Sequence, residues 1–219
     1  MTGFQHGLDF GEPQSGFTQD TVVVPTAMNQ ISPPVTWIKG FLSPKQQQLL
    51  MMEVEQYPLD RVAIEVYGKQ HFIPRTQAWF GDLGCDYHYS KLHITALAWP
   101  KVLSRLRAKL RNDHQIDSNS VLVNRYADGR DCMGWHSDDE PEIVTGSAIA
   151  SITLGACRDF VVRHKPTQTK VTFPLASGDL LIMHPGMQQH WQHALPKRLK
   201  VTEPRINFTF RHIIPNYYG

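Results

Sequence analysis

Beyond residue 120 the chain trades apolar and polar positions in short runs: "SVLVNRY" from Ser120, "SAIASITLG" from Ser147, "DFVVRH" from Asp159, "KVTFPL" from Lys170, "DLLIMH" from Asp179 and "RINFTFRHI" from Arg205. Such β-branched and aromatic runs, parted by Gly, Pro and Asp, predict the strands of a sandwich or barrel. In the last run Arg205, Asn207, Thr209 and Arg211 alternate with Ile206, Phe208 and Phe210, so an extended chain carries one wholly polar face. Upstream the period lengthens. Ser43 as N-cap and Pro44 at the first helical position open a predicted helix with Leu49, Leu50, Met52 and Val54 as apolar positions, stopped by Pro58. Val102, Leu103, Leu106 and Leu110 recur at helical spacing in a second, whose other positions include Arg105, Arg107, Lys109 and Arg111. The expected fold class is α+β, a jelly-roll sandwich backed by helices on one sheet.

Residues 1–34 are rich in Gly, Gln, Ser, Thr and Pro and read as a mostly flexible tail, apart from the apolar run "TVVVP"; residues 35–219 are expected to form one domain. The apolar content of 41%, with five Trp and seven Tyr, excludes a wholly disordered protein. A net charge of +2 permits nucleic-acid binding without demanding it. Cys85, Cys132 and Cys157 form no C-x-x-C pair, which argues against a disulfide framework and a cysteine-bound zinc. With no leader-like start and no apolar run of membrane-spanning length, the expected location is cytoplasmic in a bacterium, or nuclear in a eukaryote.

The densest chemistry lies in "CMGWHSDDEPE". If His136 and Asp138 are extended, their spacing turns both to one side; a distant histidine would complete the two-histidine, one-carboxylate set of non-haem Fe(II) oxygenases. Spacing does not choose among His184, His190 and His193. If the polar face of the last strand lines the sandwich interior, Arg205 and Arg211 need anions, and a small dicarboxylate such as 2-oxoglutarate suits a pair of guanidinium groups.

With these motifs in family order ("NRYADGRDCMGWHSDDE", "SAIASITLGACRDF", "HWQHALP" and "PRINFTFR"), residues 36–213 resemble the AlkB family of Fe(II)/2-oxoglutarate-dependent nucleic-acid dealkylases, most closely its duplex-DNA repair member. The resemblance implies a double-stranded β-helix and, as cofactors, Fe(II), 2-oxoglutarate and O2. It selects His193 to join His136 and Asp138 as metal ligands. It also implies a cosubstrate pocket in which Arg205 anchors the distal carboxylate among Asn124, Tyr126, Asn207 and Arg211. The implied reaction is oxidative demethylation of bases of the 1-methyladenine or 3-methylcytosine type in single- and double-stranded DNA, with formaldehyde released.

Bases methylated on a pairing nitrogen carry positive charge, which gives Asp139 and Glu140 a purpose beside the metal; Glu142 fits a solvated strand end equally well. Tyr87, Tyr89 and Ser90 match positions lining the family's base pocket. Nucleotide-recognition hairpins are expected at about residues 60–92. "RVAIEVYGKQHFIPR" looks like two strands joined at Tyr67 and Gly68, with Tyr67 as a wedge inserted into the base stack, where the family usually has an aliphatic residue or Phe. Arg75, Lys197, Arg198 and Lys200 are expected phosphate contacts. Competing readings are an RNA or protein demethylase or hydroxylase of the same fold, and a non-catalytic nucleic-acid binder; the full ligand set and both arginines speak against the latter. Gln5, Leu8 and Phe10 have the Q-x-x-L-x-F form of a peptide that docks on a sliding clamp, and the protein is expected to be a monomer.

Overall fold

The strands expected after residue 120 pair into two antiparallel sheets that face each other. The computed structural model describes residues 21–23, 31–66, 68–89 and 92–218; Gln5, Leu8, Phe10, Tyr67 and Ser90 lie outside the described residues, as does the side chain of Tyr89. The first half of the chain supplies β1 (Thr21–Val23), β2 (Val35–Ile38), α1 (Pro44–Val54), β3 (Ala63–Val66), β4 (Lys69–Phe72), β5 (Thr76–Gly81), β6 (Tyr87–Tyr89), β7 (Leu92–Ile94) and α2 (Lys101–His114). The second supplies β8 (Ser120–Tyr126), β9 (Met133–His136), β10 (Ile149–Gly155), β11 (Arg158–His164), β12 (Lys170–Leu175), β13 (Leu180–Met183), α3 (Met187–His190), β14 (Trp191–Leu195) and β15 (Arg205–Arg211).

The larger sheet runs β1-β2-β13-β10-β15-β8-β5 and the smaller β12-β11-β14-β9, while β3–β4 and β6–β7 are separate hairpins. This is the expected jelly-roll sandwich. The run "TVV" of the N-terminal segment contributes its edge strand β1. Helices α1 and α2 cover the outer face of the larger sheet, where Leu50, Val54, Leu103, Leu106 and Leu110 share one core with Val121, Val123, Ile152, Phe208 and Phe210. Helix α1 starts as read: Ser43 Oγ accepts from the Gln46 amide and Gln46 Oε1 accepts from the Ser43 amide, a reciprocal cap. It ends at Val54, before Pro58 is reached.

Between the sheets a second core gathers Phe160, Val162, Phe173, Leu181, Met187 and Trp191. Because Phe208 and Phe210 face the helices, strand alternation turns Arg205, Asn207, Thr209 and Arg211 inward. Register completes a polar wall. Asn207 lies opposite Asn124 on β8 and Thr153 on β10, and Arg205 lies opposite Tyr126.

Candidate metal and cosubstrate site

Strand pairing brings the two candidate ligand histidines together, since His193 on β14 lies directly opposite His136 on the edge strand β9. Asp138 joins them from just beyond β9, its Oδ1 3.6 Å from His136 Nε2 and 3.9 Å from His193 Nε2. One donor atom from each of the three fits within 4.8 Å, a spacing that suits a single ion. His184 and His190 are both exposed and away from this cluster; His184 instead meets Thr36 at 2.8 Å. One expectation needs correction: β9 ends at His136, so Asp138 is not set by strand alternation. Its position depends on Gln188 in α3, whose Oε1 accepts from the Asp138 amide at 2.9 Å, a residue that sequence reasoning missed.

The electrostatics suit a cation. Burial, then the neighbouring His136, push His193 down to about 3, so its imidazole is neutral and its lone pair available. Burial alone would raise Asp138, but Arg211, His193 and His136 outweigh it and hold the carboxyl at about 2. Gly134 O lies 2.9 Å from His136 Nδ1; an N–H donated there leaves Nε2 as the free ligand atom. Phe160 stacks on His193 at 5.1 Å between ring centroids, which restrains the plane of the imidazole.

Along the same cleft Arg205 is 2% exposed and donates to Thr153 Oγ1 at 2.9 Å and Asn207 Oδ1 at 2.8 Å. Its Nε finds no hydrogen-bond partner among the described residues, and no carboxylate pairs with it there. Burial, with the Tyr126 hydroxyl opposing and the charge of Arg158 adding to it, lowers Arg205 to about 10. A buried guanidinium without an anion is what a dicarboxylate site requires before it is filled. Arg211 is different: its Nη2 donates to Asp138 Oδ1 at 2.8 Å and its Nη1 lies 3.8 Å from Glu140. Arg205 thus has no carboxylate partner among the described residues, whereas Arg211 already has one, although its Nε and Nη1 find no hydrogen-bond partner there. Asn124 and Tyr126 line the cleft as expected, with Asn124 Oδ1 accepting from Arg75 Nε at 2.9 Å and the Tyr126 ring 5.6 Å from the Arg205 guanidinium.

At the mouth, Tyr87 donates its hydroxyl to Glu140 Oε1 at 2.7 Å and stacks on Trp79. Asp139, next along the loop, is exposed and 4.0 Å from Lys165. The reading of Arg75 is corrected. It is 3% exposed and forms part of the cleft wall, so its guanidinium is not offered to a phosphate backbone. Lys197, Arg198 and Lys200 are exposed on one loop, with Arg198 paired to Asp159 at 2.6 Å. Gly68 takes φ +75° in the β3–β4 turn, a conformation that favours glycine.

The sequence signature of the 2OG-Fe(II) oxygenase superfamily matches residues 34–211. The chain is 45% identical over 174 residues to the Mus musculus protein named DNA oxidative demethylase ALKBH2, a match covering 76% of this chain and 73% of that one. It is 38% identical over 156 residues to the Mus musculus alpha-ketoglutarate-dependent dioxygenase alkB homolog 3, covering 67% of this chain and 54% of the relative. The solved structure of OsALKBH1 superposes with a TM-score of 0.59 over 84% of this chain and 98% of that one; at 17% identity this is a likeness of fold. With a matching signature across the sandwich and a two-histidine, one-carboxylate cluster at its centre, the chain belongs to the 2OG-Fe(II) oxygenase superfamily and, within it, to the AlkB family.

Proposed function

We propose that this protein is a DNA oxidative demethylase that removes methyl groups from alkylated bases of the 1-methyladenine or 3-methylcytosine type. The observation that carries the reading is a neutral-imidazole, carboxylate cluster and an anion-free buried arginine lining one cleft, in a chain 45% identical to a DNA oxidative demethylase. His136, Asp138 and His193 would hold Fe(II), which with 2-oxoglutarate and O2 supplies the oxidising power to hydroxylate an N-methyl group. The hydroxymethyl group then leaves as formaldehyde.

The chain's own residues do the rest. Arg205, braced by Thr153 and Asn207, binds the distal carboxylate of the cosubstrate. Arg211 keeps Asp138 ionised and oriented. Glu140, joined to Tyr87, places negative charge where a cationic methylated base would enter, which favours it over its neutral parent. Tyr89 and Ser90 would complete that wall, Tyr67 would hold the stack open after base flipping, and Lys197, Arg198 and Lys200 would hold phosphates. Action as a monomer, and docking on a sliding clamp through Gln5, Leu8 and Phe10, complete the proposal. A direct titration that finds no clamp binding by the full chain removes that last element.

The decisive assay supplies Fe(II) and 2-oxoglutarate and measures formaldehyde and succinate from methylated single- and double-stranded oligonucleotides. Formaldehyde in step with succinate supports the reading. Succinate without formaldehyde from any methylated DNA, but with formaldehyde from methylated RNA or peptide, would replace the substrate class.

A further inference from the structure

Glu142 is a carboxylate with no access to solvent, 0% exposed, and it sits outside the cleft described above. Its Oε2 accepts a hydrogen bond from the Tyr218 hydroxyl at 2.8 Å, and its Oε1 has no partner among the described residues. Burying a carboxylate on so few hydrogen bonds is expensive, so any conformation that returns it to water competes with this one. The chain end opposes that release. Beyond β15 the backbone runs against the acidic loop: Val144 donates to His212 O and Ile214 donates to Glu142 O, each at 2.8 Å, and Ile143 pairs with Ile213.

The same segment grips the other side of the cleft mouth. The Asn216 amide donates to Gly84 O at 2.8 Å, and its side chain lies so close that a Cβ on Gly84 would come within 2.5 Å of Asn216 Oδ1. Ile213 packs in one cluster with Cys85 and Tyr87, and Asn119 locks its backbone by donating to Ile213 O and accepting from Ile213 N. The two structures so tied are the loop bearing Glu140 and the strand bearing Tyr87, which meet each other at 2.7 Å.

We propose that Ile213–Tyr218 is a strap that sets the spacing of the base-reading wall, with Tyr218 and Glu142 as positioning residues acting through Glu140 and Tyr87. This rests on the base-demethylase reading. The full-length Tyr218→Phe variant should raise KM for a methylated oligonucleotide about fivefold, the loss of one hydrogen bond to a buried acid. KM for 2-oxoglutarate should stay within about twofold, because Arg205 and its partners do not touch the strap. Glu142→Ala should behave like Tyr218→Phe, whereas Glu142→Gln, which still offers an oxygen to the Tyr218 hydroxyl, should stay near the parent. Amide hydrogen exchange of the apo proteins should quicken in Tyr218→Phe at residues 84–89 and 138–144 together. Unchanged exchange in both segments overturns the strap, and so does a KM for 2-oxoglutarate that rises as much as that for the oligonucleotide. Absence of oligonucleotide turnover by the parent protein sinks the functional reading instead, while the exchange comparison still decides the strap.

Discussion

At the scale of single residues, the site depends on which side chains are left with unspent bonding capacity. His193 is buried and neutral, Asp138 is ionised, and the Arg205 guanidinium is buried without an acid. Replacing His136, Asp138 or His193 by Ala should abolish succinate formation while the protein still melts cooperatively, since each removes one of only three donors. His190→Ala should retain turnover, because His190 is exposed and outside the cluster. The opposite pattern between His193 and His190 would relocate the ligand. Arg205→Lys should raise KM for 2-oxoglutarate about tenfold, because a point ammonium does not reproduce a planar two-toothed donor. An unchanged cosubstrate titration places the dicarboxylate elsewhere. The spacing of H-x-D and the arginines of "PRINFTFR" made these groups visible in advance. The partners that complete them, Gln188, Thr153 and Phe160, left no local signal, because each comes from a strand or helix remote in sequence.

At the scale of elements, alternation does the positioning. One strand, β15, packs Phe208 and Phe210 against the helices and turns its arginines into the cleft, so a slip of one residue would exchange core for site. The edge strand β9 delivers His136 by pairing with β14, and β3–β4 stands apart from both sheets as a free hairpin. Gly68 lies at its turn, and Tyr67 precedes it in sequence. Tyr67→Ala should therefore slow repair of methylated duplex several-fold more than repair of a single strand, because only the duplex has a stack to hold open. Equal losses on the two substrates would speak against a wedge. Strands β8, β10, β11, β12, β13 and β15 were legible as apolar runs. β9 and β14 were not, since "MGWH" and "WQHAL" lack clean alternation and owe their extended form to pairing with a neighbour.

At the scale of the whole molecule, the sandwich and its helical backing hold two walls at a fixed separation. Phe208 is fully buried between the larger sheet and the helices. Phe208→Ala should lower the free energy of unfolding by about 3–5 kcal/mol, read as a lower denaturant midpoint. KM for 2-oxoglutarate in the molecules that remain folded should move by no more than about twofold, because that side chain faces away from the cleft. A large rise would mean that the helical layer sets the site's geometry directly. Spacing and residue type alone specified the sandwich class, the capped helix α1, the polar face of β15 and the motifs that place the chain in its family. Spacing left the second ligand histidine open and the family motif pointed to His193; pairing of β14 with β9 sets it against His136, and the folded chain alone shows that Arg75 belongs to the cleft wall. Tertiary structure also decided that Arg211 is engaged by Asp138 and that Glu142 is sealed beneath the chain end. Burial and pairing across strands are set by segments far apart in the chain. A charged residue reads the same in sequence whether water or a neighbouring strand will satisfy it.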